Sequence, residues 1–242
     1  MTPERVPILA VIQARDGGTR LPGKIRADIG GSSMLAQVVH RVSLVGLPLV
    51  VAFPPPELKE NDVLGRFARI ARHNPHVDAF VRITADCPLL DPSVVGFSVN
   101  TYRSGVHDFV GTAPDMDGLD CEVFSRSALL ACDLAAKGRA REHVTSWMRR
   151  NLAPYPIINW APCPLRWSVD DESGLNFARR VYAACDYCKR AVPHHTNAGS
   201  SIGGQDRTLV VDLHQTEDGG LVECGAADIL RERMGGPVYV SQ

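Results

Sequence analysis

A three-layer α/β sandwich with a mostly parallel central sheet is the fold class predicted for this 242-residue sequence. Three observations predict it. Short apolar runs recur along the chain, continuous rather than alternating, as strands buried on both faces require. Between them lie segments whose apolar residues fall at helical spacing. Aspartate, arginine and glycine collect where the apolar runs end, which is where open α/β sheets place ligand groups. Together these give a Rossmann-like architecture.

Each element follows in order. PILAVIQA (7–14) is a buried parallel strand, and SSMLAQVVHRVSLV (32–45) a helix with Ser32 or Ser33 as its cap. LPLVVAF (47–53) is a second strand, followed by the rigid, polar link PPPELKEN (54–61). NDVLGRFARIARH (61–73) puts Val63, Leu64, Phe67, Ile70 and Ala71 on one helical face. DAFVRITA (78–85) is a third strand leading to Asp86, and SVVGFSVNTYRS (93–104) another helix. DCEVFS (120–125) is short and strand-like. SALLACDLAAKG (127–138) and REHVTSWMRRN (141–151) are two helices, LRWSVD (165–170) a strand, and 172–190 a long amphipathic helix. No repeat of fixed period is present.

Residues 1–190 form the main domain on this reading. Residues 191–242 are a glycine-rich linker and a small strand–strand–helix extension, too small to bury a core alone. The extension is therefore expected to dock on the main body or on a second subunit. A formal net charge of −1, from 26 basic and 27 acidic residues, argues against a nucleic-acid binder. No apolar run is long enough to cross a membrane. The start of the chain flows straight into the glycine-rich loop with no cleavage site, so it is a strand and not a signal peptide. Seven scattered cysteines form no disulfide framework, which points to a reducing cytoplasm.

The first loop carries the chemistry. Gly18–Lys24 fits G-x-x-x-x-G-K, yet Ile25 stands where a phosphate loop needs Ser or Thr for Mg²⁺. Pro22 also removes a backbone donor from the nest such a loop forms. The NAD fingerprint G-x-G-x-x-G is absent as well. What remains is three cations, Arg15, Arg20 and Lys24, on a flexible loop at the ligand-binding edge of the sheet. That set suits a triphosphate whose charge must be neutralised during transfer.

QARDGGTRLPGK (13–24) resembles the signature loop of the cytidylyltransferases of the spore-coat polysaccharide type, relatives of the CMP-KDO and CMP-sialate synthetases. DVLGRF (62–67), VRITADCPLLDP (81–92), DGLDCEVFS (117–125), REHVTSWMRRN (141–151) and WSVDDESGLNFARRVY (167–182) continue it in order, over roughly residues 7–185. The resemblance implies a nucleotidyltransferase, or GT-A-like, fold. It implies Mg²⁺-dependent transfer of CMP from CTP to a sugar-acid or sugar-phosphate-like acceptor, with release of pyrophosphate. A role in surface polysaccharide or glycoconjugate synthesis and a cytoplasmic homodimer come with it.

Residue by residue, it implies that Arg15, Lys24, Asp86 and Asp170 are catalytic and that Asp86 and Asp170 hold the metal, with Asp171 or Glu172 close by. Ala14, Arg15, Gly17, Gly18, Arg20, Lys24, Arg66 and Thr84 would meet the nucleotide. Arg82, Asp117, Asp120, Glu122, Arg141, Glu142 and His143 would line the acceptor site. Independently, Mg²⁺ prefers carboxylates, water and substrate phosphates, and aspartates at the ends of different strands can converge on one ion.

Two departures from the family stand out. Asp16 occupies an apolar position, where an acid weakens anion binding unless it pairs with Arg15 or Arg20. The link 54–61 replaces a crossover helix and strand, so the sheet is shortened by one α/β unit in the region that helps frame the base. Cys185, Cys188, His194 and His195 have a zinc-like composition, but the two cysteines also fit the apolar face of the last helix. Two other readings stay open: a glycosyltransferase using a nucleotide-sugar, and a nucleotide-binding scaffold without turnover.

Overall fold

The computed structural model describes residues 6–105, 107–112, 117–152, 157–158 and 166–184. Its strands are β1 (Ile8–Gln13), β2 (Asp28–Ile29), β3 (Ser32–Ser33), β4 (Leu49–Ala52), β5 (Ala79–Thr84), β6 (Phe109–Thr112), β7 (Glu122–Ser125) and β8 (Ile157–Ile158). Its α-helices are α1 (Met34–Ser43), α2 (Val63–His73), α3 (Pro92–Ser104), α4 (Arg126–Ala135), α5 (Ser146–Asn151) and α6 (Glu172–Ala184). The main sheet runs β4-β1-β5-β7-β6-β8, and only β7 opposes the common direction. The expected α/β sandwich with a mostly parallel sheet is what forms.

Strand alternation sorts the core into two layers. Ile8, Ala10 and Ile12 of β1 pack with Val38, Val42, Val95 and Leu175 from α1, α3 and α6. Leu9 and Val11 point the other way, onto Leu64, Phe67, Leu129 and Met148 from α2, α4 and α5. Because both faces are covered, the run from Ile8 to Ile12 is buried throughout. Side chains written into the sequence start the helices. Ser33 accepts from the Ala36 amide, Asp62 from Gly65, Asp91 from Ser93 and Ser125 from Ala128.

Some elements differ from expectation. Residues 166–170 are not a strand. Trp167 N–H bonds Asp117 O and Val169 N–H bonds Asp86 O, so the segment straps two loops together. Residues 141–151 are not one helix. A 3₁₀ turn (Gly138–Arg141) comes first and α5 starts only at Ser146. Side chains hold this break: Arg141 is drawn to Asp62 and Asp133, Thr145 to Glu122. The sequence signals for β6, β8 and the β2–β3 hairpin were too short to register. The extension 191–242 and the Cys185, Cys188, His194, His195 cluster lie outside the described residues.

The link between β4 and α2 is short. No helix or strand occurs between β4 and α2, and β4 ends the sheet among the described residues. One side chain fastens the joint. Arg66, 1% exposed, donates from Nη1 to Ala14 O (2.9 Å) and Ala52 O (3.2 Å), and from Nη2 to Glu60 O (2.8 Å). It therefore ties the ends of β1 and β4 to the link. Arg66→Leu should lower unfolding free energy by about 3 kcal/mol, since it strands buried carbonyls. Urea denaturation checks this, and wild-type stability in the variant would refute it.

Candidate active site

Three segments converge at the C-terminal edge of the parallel strands. The first is the loop after β1. Gly23 takes a left-handed backbone (φ 66°), which turns the chain into a short 3₁₀ turn, Lys24–Arg26, anchored by buried Ile25. The second is the turn after β5, which carries Asp86. The third is the strap at 166–170, which carries Asp170 and is fixed to Asp86 by the Val169 N–H bond of 2.8 Å.

The Lys24 ammonium sits where the three meet. It donates to Asp86 Oδ2 (2.8 Å), Val169 O (2.8 Å) and Asp170 Oδ1 (3.1 Å), using all three of its protons. Burial would raise the Asp86 pKa, but the charge and hydrogen bond of Lys24 outweigh it and hold the carboxyl below its ordinary value. Arg20 reaches Asp170 Oδ2 at 3.3 Å, and Arg166 pairs with the same oxygen. The sequence assigned Lys24 to phosphates and the aspartates to metal; the structure places all three in one cluster.

Two carboxylates aimed at one small cation fit a hard divalent ion such as Mg²⁺. Among the described residues no group of three or more His, Cys, Asp or Glu side chains forms a site. An ion held by Asp86 and Asp170 would therefore need water and phosphate oxygens to complete its shell, the usual habit of Mg²⁺ beside a nucleotide.

A cleft of about 160 Å³ opens beside this cluster. Arg15, Lys24, Thr84 and Asp86 line it, together with Arg82, Glu142 and His143 from the acceptor set. Arg15 is exposed and makes no bond within the described residues. Thr84 Oγ1 lies 2.9 Å from Cys87 Sγ. Ala14 is buried and contributes backbone only; its N–H bonds Ala52 O. The Glu60 carboxylate lies against Gly17 and would have to swing away from a Cβ there, while the fixed Leu21 O leaves a Cβ little room at Gly18.

Glu122 has another role than the one expected. It is 2% exposed and accepts from Arg82 Nη1 (2.9 Å), Thr145 Oγ1 (2.7 Å), Arg149 Nε (3.0 Å) and Arg149 Nη2 (2.5 Å). Register makes this possible, because Arg82 and Glu122 are direct partners across β5 and β7. Burial works against its charge, yet Arg82 and Arg149 prevail and hold the carboxyl below the usual range. Glu122 thus anchors Arg82, whose Nε also bonds Gln13 Oε1 (3.2 Å).

Other expected residues do not line this cleft. Arg66 is sealed by the carbonyls it binds and does not reach the cleft, and burial pulls its pKa down to about 10. The Arg141 guanidinium is taken by Asp62 and Asp133. Asp117 pairs with Arg166 at 2.7 Å. Asp120 accepts from the Gly118 amide, and burial raises its pKa. Asp16 pairs with neither Arg15 nor Arg20 but with Arg26, at 2.5 Å. Gln13 and Asn61 line the cleft unforeseen. A polar residue closing an apolar strand was the signal for Gln13; Asn61, in a polar link, gave none.

A cationic loop and paired aspartates at the C-terminal edge of such a sheet make a site suited to a nucleotide's phosphates. The solved structures agree on the fold: a cytidylyltransferase from Leptospira borgpetersenii matches with a TM-score of 0.64 and 22% identity, over 73% of this chain and 87% of that one. No protein-family model matches the chain. Sequence relatives make the resemblance narrower. The chain is 28% identical over 177 residues to the spore coat polysaccharide biosynthesis protein SpsF of Bacillus subtilis, covering 62% of this chain and 73% of that protein. It is 27% identical over 202 residues to a 3-deoxy-manno-octulosonate cytidylyltransferase of Gemmatimonas aurantiaca, covering 66% and 78%. The chain is thus a relative of the spore-coat and CMP-KDO type of cytidylyltransferase, as its motifs indicated. No described helix is long and apolar enough to cross a membrane.

Glu122 gives the site a pH signature. Its folded pKa is depressed, so its stabilisation is present above the ordinary glutamate value of about 4.3 and is lost as pH falls through the lower folded value. Glu122→Gln should cost about 3 kcal/mol at pH 7, since it leaves Arg82 and Arg149 without their buried partner. The variant should also lose less stability than wild type between pH 5 and the acid limit. Parallel acid curves would show that Glu122 titrates normally.

Proposed function

We propose that the chain is a Mg²⁺-dependent cytidylyltransferase. It transfers CMP from CTP to a sugar-acid or sugar-phosphate-like acceptor and releases pyrophosphate. The observation that carries this is the meeting of Lys24, Asp86 and Asp170 at one point beside a cleft walled by Arg15 and Thr84. The relatives' own names supply the choice of CTP and of a sugar-like acceptor.

In the reaction an acceptor oxygen attacks the α-phosphorus in line. The bond from that phosphorus to the bridging oxygen breaks, and the electron pair leaves with pyrophosphate. Asp86 and Asp170 would hold Mg²⁺, which supplies positive charge to the phosphate oxygens when bound. With the carboxylates so engaged, the Lys24 ammonium would be available to the phosphates. Arg15 and Arg20, both exposed on the same loop, hold the outgoing phosphates. Arg82, fixed by Glu122 and Gln13, presents a rigid cation to an anionic acceptor, with Glu142 and His143 on the wall. An acceptor that is already a carboxylate or phosphate needs no strong base. The assembly proposed is a cytoplasmic homodimer.

Pyrophosphate release from CTP, measured with a panel of sugar acids and sugar phosphates, tests this reading. Asp86→Asn and Asp170→Asn should each lower kcat on the order of a hundredfold, with nucleotide affinity less affected. The double variant should be barely worse than either single one, because both act through one ion. Lys24→Ala should raise KM for CTP as well as lower kcat. Activity that persists in EDTA, or near-normal turnover in the Asn variants, would remove the metal from the mechanism. No pyrophosphate from any nucleoside triphosphate, with nucleotide freed from a nucleotide-sugar instead, would make the protein a glycosyltransferase.

A further inference from the structure

The three segments that carry Lys24, Asp86 and Asp170 meet a second time, away from the cleft. Six residues beyond Lys24, Gly30 adopts a left-handed backbone (φ 64°) against the Tyr182 ring, where an added Cβ would stand 3.2 Å from Cδ1. Two residues beyond Asp86, Pro88 O accepts a hydrogen bond from Tyr182 Oη at 2.8 Å. Tyr182 itself lies on α6, the helix that begins just past Asp170. Arg41 of α1 closes the cluster. Its Nε donates to Tyr182 Oη (2.9 Å), its Nη1 to Leu90 O (3.1 Å), and its guanidinium carbon lies 5.4 Å from the ring centroid.

Arg41 and Tyr182 are each 3% exposed, within the apolar layer of α1, α3 and α6. A buried guanidinium and hydroxyl are costly unless fully engaged. Here they are engaged with the backbone of one particular turn, the one that carries Asp86. Neither residue lines the cleft.

We propose that Arg41 and Tyr182 are positioning residues that set the spacing of Asp86 and Asp170, and through it the affinity of the site for a divalent cation. The proposal rests on the reading of those aspartates as cation ligands. The Val169 N–H bond to Asp86 O fixes the head of α6 to the Asp86 turn. Buried Leu175 and Ala178 seat the helix in the core, and Arg179 Nε bonds Asp28 O, but neither reaches the Asp86 turn. Tyr182 returns to that same turn from near the other end of α6, about 15 Å along at 1.5 Å per residue from Glu172. With both in place, the Asp86 turn and the Asp170 strap move as one body, and Gly30 keeps the Lys24 segment in register with them.

Manganese binding, followed by electron paramagnetic resonance with and without CTP, tests this without relying on turnover. Tyr182→Phe keeps the ring and removes the hydroxyl. It should weaken manganese binding about tenfold, the lower end of what outer partners of a metal site contribute, while KM for CTP at saturating metal stays near wild type. Arg41→Lys keeps the charge but not the two-pronged reach, and should shift manganese affinity the same way. Val99→Ala, in the same apolar layer, should lower Tm and leave manganese affinity unchanged. Wild-type manganese affinity in Tyr182→Phe, or an equal loss in Val99→Ala, would reduce the pair to ordinary core packing. Should wild type bind no manganese even with CTP, the reading of Asp86 and Asp170 as ligands falls, and this proposal with it.

Discussion

One ammonium group holds the functional end of this molecule together. Asp86 and Asp170 lie close enough to share the Nζ of Lys24, so without a cation between them they would repel. Lys24 supplies that cation from within the chain. The contact joins residues 62 and 146 positions apart, and so closes the loop after β1 over the turn after β5 and the strap before α6. Other groups then find their places around it. Arg20 and Arg166 gather at Asp170, and Val169 contributes a carbonyl.

Elsewhere the same physics recurs, with the charges reversed at Glu122. Arg66, Arg41 and Glu122 are all but fully buried, and each is engaged by several partners from separate segments. An isolated charge in such a place would be prohibitive, whereas a charge shared among several fixed partners is tolerated and strongly directional. The apolar layers set which face of each element points inward. The buried charges set where the ends of those elements stop, and the ends are where the chemistry is.

That division explains what could be read from the sequence. The sheet and most helices were legible because continuous apolar runs and helical periodicity are local signals. Asp86 was legible as a polar residue closing an apolar strand, and Arg15, Arg20 and Lys24 as a cationic loop. The meeting of Lys24 with both aspartates was not, since no local pattern encodes a contact spanning 146 residues. Arg66 looked like a ligand because it lies in a motif near the site. It is instead recruited inward by carbonyls at the ends of β1 and β4 that the short crossover leaves open. Residues 165–170 looked like a strand from their composition, but the amides of Trp167 and Val169 turn to two different loops. Glu122 could not be foreseen as an anchor, because Thr145 and Arg149 reach it only after the 3₁₀ turn interrupts the expected helix.

The short link between β4 and α2 also leaves a margin of the sheet open. Among the described residues β4 is its outermost strand on that side, only four residues long. Pro54, Pro55 and Pro56 follow almost at once, and none carries an amide proton. A strand from another molecule seeking to pair there would find about two outward amides before the donors run out. The short link thus guards the edge it leaves open: a margin this brief and this poor in donors offers little to template fibre-like growth.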